Sequence, residues 1–533
     1  MSIAALVRTA AERFSARIAV QDDTVSRTFA DLSERAHRVA VGLRRSGLPV
    51  QSRVMCLLPN SVDAVEVDLA LAIGGFIRVS LNPRVGLAEW LRVMRDCQPQ
   101  AIILDVRVAG GADFARQTEM ATRIIRVGSS VPDSPSLEDI IDAGSGDAEL
   151  PTPGAESLCA LHYSSGTTGL PKGAQRTHGN RLTSLRAMHD NVLAGTLDGR
   201  RPAVFLHAGP IIHTSGLFVL PFLEAGGRQV LLEHPTPSQL LGAAAFHRAT
   251  HTALVPTAIS RLLECDDARL GVLRGLRMLA YAGAPMPAAH IAAAFRRITP
   301  NLVQYYGMVE AVPPLAVLSP DDHRRAIVDG EDLLTSIGRP CAPTRIAIVH
   351  DGRPVDSGVV GELVVGGPAV GPGYHHSRGR ADLGKSHVGG ILFSGDLGYY
   401  GADGYLRLSG RRNDMIISGG YNVYPREVEE ALAAIPGVSD VVVVGLPDPV
   451  WGQRIAALYT STGAELTDDA GVLAASRRCL PDFKRPKDVR RVDALPLTPL
   501  GKADRGKAAR ILTAMMADNA LCGPPTQVDS DQS

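Results

Sequence analysis

Tyr163-Ser164-Ser165-Gly166-Thr167-Thr168-Gly169-Leu170-Pro171-Lys172-Gly173 packs three glycines, four Ser/Thr hydroxyls and one lysine into eleven residues. Glycines let successive backbone N–H groups converge on one anion, hydroxyls add neutral donors, and Lys172 adds a mobile positive charge. The composition is that of a loop that wraps phosphate. It also suits a flexible linker. Against a linker stand the apolar approach Leu158-Cys159-Ala160-Leu161, which predicts a strand, and the Pro171-Lys172 pair that pins the exit.

On the N-terminal side of this loop the chain alternates between two periods. Helical spacing over 31–45, 61–73 and 88–95 is interleaved with strand-like runs at 53–58, 76–81 and 101–104, which predicts a sheet flanked by helices. Beyond the loop, 253–257 and 279–285 read as buried strands ending at Pro or Gly turns, where open α/β sheets present ligand-binding edges. A chain of 533 residues with 45% hydrophobic composition exceeds one ordinary core, so a multidomain globular enzyme is expected. Lys+Arg and Asp+Glu both number 55, giving zero formal charge and no global field for nucleic acid or anionic membrane. The seven cysteines lack a Cys-x-x-Cys spacing, which fits a reducing cytoplasm. The apolar stretch 204–223 is broken by His207, Pro210, His213, Gly216 and Pro221, so no membrane insertion is expected; a homodimer is left open.

The loop, followed by Thr177-His178, resembles the signature of the adenylate-forming superfamily of acyl-CoA synthetases, adenylation domains and luciferases, and the resemblance continues along nearly the whole chain. It implies an α/β fold: a large N-terminal domain of flanked sheets plus a small β region, and a smaller mobile α+β lid. The expected boundaries are 1–411 for the AMP-binding domain and 412–516 for the lid, with 517–533 a disordered tail. It further implies that Ser164, Ser165, Gly166, Thr167, Thr168, Gly169 and Lys172 cover the ATP phosphates, and that Gly283, Ala284 and Pro285 lie along the adenine. Tyr306, in Tyr305-Tyr306-Gly307-Met308-Val309-Glu310, would stack on adenine beside Gly307, and Glu310 would ligate Mg²⁺. Val309 stands where the family usually has a threonine that reaches the α-phosphate.

His213 lies among apolar and small residues, where a lone histidine is more often a satisfied core group; the resemblance instead puts it at the junction of acyl and CoA tunnels. Thr257, Tyr281, Ala282 and Tyr305 would line the acyl pocket. Asp396 and Arg411 would hold the ribose, Asn413 would be the lid hinge, and Ser418-Gly419-Gly420 would admit the pantetheine arm of CoA. Lys502, in Leu497-Thr498-Pro499-Leu500-Gly501-Lys502, would be the catalytic lysine. Its neighbours Ala503-Asp504-Arg505 depart from the family's apolar and basic continuation. Gly379 to Ser386 satisfies G-x-x-x-x-G-K-[ST], but it lacks the preceding strand and following helix of a phosphate loop.

The expected activity is therefore an ATP-dependent carboxylic acid–CoA ligase proceeding through acyl-AMP. Its acid is expected to be fatty or otherwise apolar rather than a free dicarboxylate, as in fatty-acid and lipid metabolism. The alternatives are an enzyme that loads a carrier protein and a decayed nucleotide- or acyl-binding homologue.

Overall fold

A computed structural model describes residues 2–118, 123–128, 134–146, 148–164, 172–197, 201–375, 386–461, 468–498 and 502–521. Its chain divides into two compact units: Met1–Ser394 with Gly398–Leu408, and Gly395–Leu397 with Ser409–Ser533. The larger is α/β, with helices against its sheets, and the smaller is α+β.

In the larger unit one sheet runs in the order Arg123–Val127, Ala101–Asp105, Arg53–Leu57, Ile77–Ser80, Leu158–Ser164, Lys172–Thr177. The first five strands are parallel and the last is antiparallel. Ala101–Asp105 is buried along its whole length, as an interior parallel strand covered on both faces must be. Helix Val62–Ile73 starts where Ser61 accepts from the Ala64 N–H, and helix His178–Ala187 starts at a Thr177–Asn180 capping box. Thr177 of the Thr177-His178 pair is thus a helix cap.

The second sheet has nine strands, in the order Arg339–Pro340, Ala316–Leu318, Leu302–Tyr306, Met278–Tyr281, His251–Leu254, Val204–His207, Arg228–Leu231, Ile18–Gln21, Ser26–Thr28. The run from Leu302–Tyr306 to Ile18–Gln21 is parallel. The stretch 253–257, read as a strand ending at a Pro turn, is strand to Leu254 and helix from Pro256, because proline's fixed φ suits the first turn of helix Pro256–Leu263. A third sheet contains Arg345–His350, Gly361–Gly366 and Ile391–Tyr400.

The smaller unit is built on the hairpin Val438–Asp448 and Gly452–Ser461, joined by Ile416–Ser418, Tyr421–Val423 and Asp488–Arg491. Helices Pro425–Ala433, Asp469–Cys479 and Arg505–Leu521 complete it. The last helix runs past Ala517, where a disordered tail was expected to begin; the Ala- and Leu-bearing sequence up to Leu521 favours helix continuation. No helix among the described residues is long and apolar enough to cross a membrane.

Candidate active site

The phosphate-loop motif sits on a β-hairpin. Leu158–Ser164 pairs antiparallel with Lys172–Thr177, with Tyr163 opposite Gly173 and Ser164 opposite Lys172. Gly173 is required because a Cβ there would meet the Tyr163 ring at 2.7 Å, while the Tyr163 hydroxyl donates to Asp96 Oδ2 at 2.6 Å. Ser165, Gly166, Thr167, Thr168 and Gly169 lie outside the described residues, as do residues 379–385 of the Walker-like stretch.

At the carboxyl ends of two neighbouring parallel strands, Met278–Tyr281 and Leu302–Tyr306, lie Gly283-Ala284-Pro285 and Tyr306-Gly307. Gly283 has φ +94°, a conformation that favours glycine. Glu310 follows shortly after, and its Oε1 accepts a 2.5 Å hydrogen bond from the Tyr374 hydroxyl. Residues 371–375 then join the two halves of the site. The Gly371 N–H donates to the Glu310 carbonyl at 2.9 Å, the Gln175 N–H to the Gly373 carbonyl at 2.8 Å, and the His375 N–H to the Gly173 carbonyl at 2.8 Å. Glu310 and the phosphate-loop hairpin are thereby tied to one strap. Sequence reading missed Tyr374; its only signal was the Gly373-Tyr374 pair in front of the Walker-like stretch.

Among the described residues no group of three His, Cys, Asp or Glu side chains could hold a metal. The single hard carboxylate of Glu310 fits Mg²⁺, which takes one or two carboxylates and completes its shell with phosphate oxygens and water.

Beside the strap lies a cavity of about 70 Å³, lined by His213, by apolar side chains including Leu58, Val65 and Leu220, and by Asp68, Arg78, His162, Arg176 and Arg181. Register explains the polar wall. Arg78 pairs with Ala160 and Ala160 with Arg176, so these three share one sheet face, and His162, two residues on, shares it too. Arg78 and Arg181 both bind the Asp68 carboxylate, whose pKa is held below the usual range by these arginines against its own burial. The Arg176 Nε donates to the Val309 carbonyl at 3.3 Å, and His162 Nε2 lies 3.3 Å from Arg176 and 3.4 Å from Arg78. Burial and these arginines push the His162 pKa well down, so the ring is neutral.

Not every expected pocket residue reaches this cavity. Tyr281 is fully buried, and its hydroxyl lies 2.8 Å from His323 Nε2 in the core. Tyr305 is buried against Phe218, its hydroxyl donating to the Thr214 carbonyl at 3.4 Å, and Ala282 packs in the same cluster. Thr257 is half-buried in the first turn of helix Pro256–Leu263.

In the smaller unit Arg411 Nε donates to Asp396 Oδ1 at 3.1 Å, pairing the two expected ribose residues. Asn413 lies in an exposed 3₁₀ turn, Arg412–Asp414. Ser418, Gly419 and Gly420 form a hairpin turn with φ +58° and +82° at the glycines; a Cβ on Gly419 would meet Trp451 at 2.8 Å. Lys502 is exposed, and its carbonyl accepts a 2.7 Å hydrogen bond from the Thr498 N–H. The departure Ala503-Asp504-Arg505 has a structural reason. Asp504 accepts from the Lys507 N–H, capping helix Arg505–Leu521, and Arg505 binds Glu429 and lies 3.5 Å from Asp414.

The AMP-binding enzyme family model matches residues 7–375, and the AMP-binding enzyme C-terminal domain model matches 427–502. A feruloyl-CoA synthase from Amycolatopsis sp is 34% identical over 92% of this chain and 95% of its own. A medium/long-chain-fatty-acid–CoA ligase from Mycobacterium tuberculosis is 32% identical over 84% and 80%, and a sulfoacetate–CoA ligase from Cupriavidus necator is 31% identical over 90% and 91%. Among solved structures, an amide bond synthetase from Marinactinospora thermotolerans is similar with TM-score 0.84 and 29% identity, over 96% of this chain and 99% of that one. ATP-bound MatB from Rhodopseudomonas palustris is similar with TM-score 0.83 and 28% identity, over 97% and 100%.

Proposed function

The chain belongs to the adenylate-forming superfamily of AMP-binding enzymes, and from that premise we propose that it is an AMP-forming carboxylic acid–CoA ligase acting on an acid with an apolar body. Enzymes of this family use ATP, Mg²⁺ and CoA. The observation that carries the reading is the strap Gly371–His375, which ties the phosphate-loop hairpin to Glu310.

In the first step a carboxylate oxygen attacks the α-phosphorus, the bond to the β-phosphate oxygen breaks, and pyrophosphate leaves. In the second the CoA sulfur, losing its proton, attacks the acyl carbon and AMP leaves. The split converts a poor leaving group into a good one. The loop through Lys172 wraps the β- and γ-phosphates; Gly283, Ala284, Pro285, Tyr306 and Gly307 form the adenine side; Asp396 and Arg411 take the ribose hydroxyls. His213 lies at the carboxylate end of the cavity. Glu310 would hold Mg²⁺, which neutralises phosphate charge when bound. Lys502 places its ammonium against the charge developing on the α-phosphate. Ser418-Gly419-Gly420 admits the thiol arm, and rotation about Asn413 exchanges the two steps. The functional domains are 1–411 and 412–516.

Apolar walls and a fatty-acid–CoA ligase relative support an aliphatic or aromatic acid body. The likeness to an amide bond synthetase favours a second reading, in which an amine takes the acyl group. Carboxylate-dependent ATP–pyrophosphate exchange, followed by addition of CoA, an amine or a carrier protein, tests both. Exchange with a CoA thioester as the captured product is expected; exchange with capture only by amine or carrier would replace the acceptor, and no exchange would refute the reading.

A further inference from the structure

The polar wall of the cavity is over-supplied with positive charge. Arg78, Arg176 and Arg181 bring three guanidinium groups, and Asp68 brings one carboxylate, which Arg78 and Arg181 already share. Arg176 forms no ion pair with a carboxylate among the described residues; its hydrogen-bond partners are the Val309 carbonyl and a neutral His162 ring, and Glu310 acts on it only through space. His162 Nε2 offers one lone pair, yet two guanidinium groups approach it at 3.3 and 3.4 Å. A cation buried with only neutral acceptors is a poorly compensated arrangement, and it improves when an anion enters. Burial, together with Arg78 and Arg181, lowers the Arg176 pKa to about 10, against the opposing influence of the Cys159 thiol and the Glu310 carboxylate.

The same cavity carries apolar walls and, through His213, reaches the place assigned above to the reacting carboxylate. Resting on that ligase reading, we propose that the substrate is a compact dianionic acid: one carboxylate is activated at the His213 end, while a second oxyanion, carboxylate or sulfonate, ion-pairs with Arg176, with Arg78 and His162 alongside. The apolar walls then take the body between the two charges. This reverses the expectation of an acid without a second charge. An arginine fork suits either oxyanion because both present two coplanar acceptor oxygens.

The test is pyrophosphate exchange by the full chain with matched acids: hexanoate against adipate, 3-phenylpropanoate against 3-(carboxyphenyl)propanoate, and propanoate against 3-sulfopropanoate. The doubly charged member of at least one pair is expected to have a kcat/KM about tenfold or more above its partner, the ratio of one well-placed charged hydrogen bond. Arg176→Leu is expected to reverse that order through KM. A wild-type preference for the singly charged member in every pair would overturn the inference and leave the ligase reading standing. An equal loss for both members in Arg176→Leu would assign Arg176 a structural role and also overturn it. Exchange with no acid would refute the ligase reading and this inference together. The wild-type comparison decides the question even if the variant does not fold.

Discussion

Lys502→Ala should depress adenylate formation from acid and ATP by about 10²–10³, the range for removing one preorganised charge-stabilising group, and leave thioester formation from supplied acyl-AMP and CoA largely intact. Pyrophosphate exchange against single-turnover thiolation checks it; equal losses in both halves would remove Lys502 from that role. Val309→Thr restores a hydroxyl where the chain has only an isopropyl group, and the expected outcome is a rise in turnover of about tenfold, the lower end for a bond to a charged group. An unchanged steady-state rate would mean that another donor already fills the position. Glu310 and Lys502 stood out in the sequence only because the motifs around them resemble those of the family. Asp68, Arg78, His162, Arg176 and Arg181 did not stand out. Each is unremarkable alone, and only the register Arg78–Ala160–Arg176 puts them on one face.

At the scale of elements, alternation was a sound guide wherever burial enforces a period. The expected runs at 53–58 and 101–104 correspond to Arg53–Leu57 and Ala101–Asp105. The pattern was misread beyond Ala517, where the final helix continues to Leu521. The segment bearing Lys502 shows how an element serves a residue. Arg505 opens the final helix and binds Glu429 of helix Pro425–Ala433, so that segment is anchored at its downstream end. Arg505→Met should destabilise the smaller unit by about 1.5–3 kcal/mol, the worth of hydrogen bonds to a charged group, and slow adenylation more than thiolation. Chemical denaturation followed in that unit, together with the two half-reaction rates, would check it; unchanged stability would show that the anchor is dispensable.

Over the whole molecule, stability should depend on pH through buried histidines of the larger unit. Burial lowers the pKa of His178, His207 and His323 to about 4 and of His251 to about 3. Each is neutral when folded, while the unfolded chain takes up a proton below about 6.5, so the unfolded state binds more protons between roughly pH 6.5 and 4. Stability is therefore fully present above that window and is lost as pH falls through it. Thermal unfolding followed from pH 7.5 to 4.5 should show Tm falling below 6.5, and a flat profile would contradict the burial of these rings in neutral form. The two-unit plan was legible from the family resemblance, although the chain's units interleave near that boundary, with Gly395–Leu397 grouping with the C-terminal residues. The central claim is attack of a carboxylate on the α-phosphate of ATP. It is tested most directly by supplying an acid labelled with ¹⁸O at both carboxylate oxygens, together with ATP and CoA, and weighing the products. One ¹⁸O in AMP and one in the thioester is the predicted result; ¹⁸O in inorganic phosphate with ADP formed, or AMP without label, would contradict it.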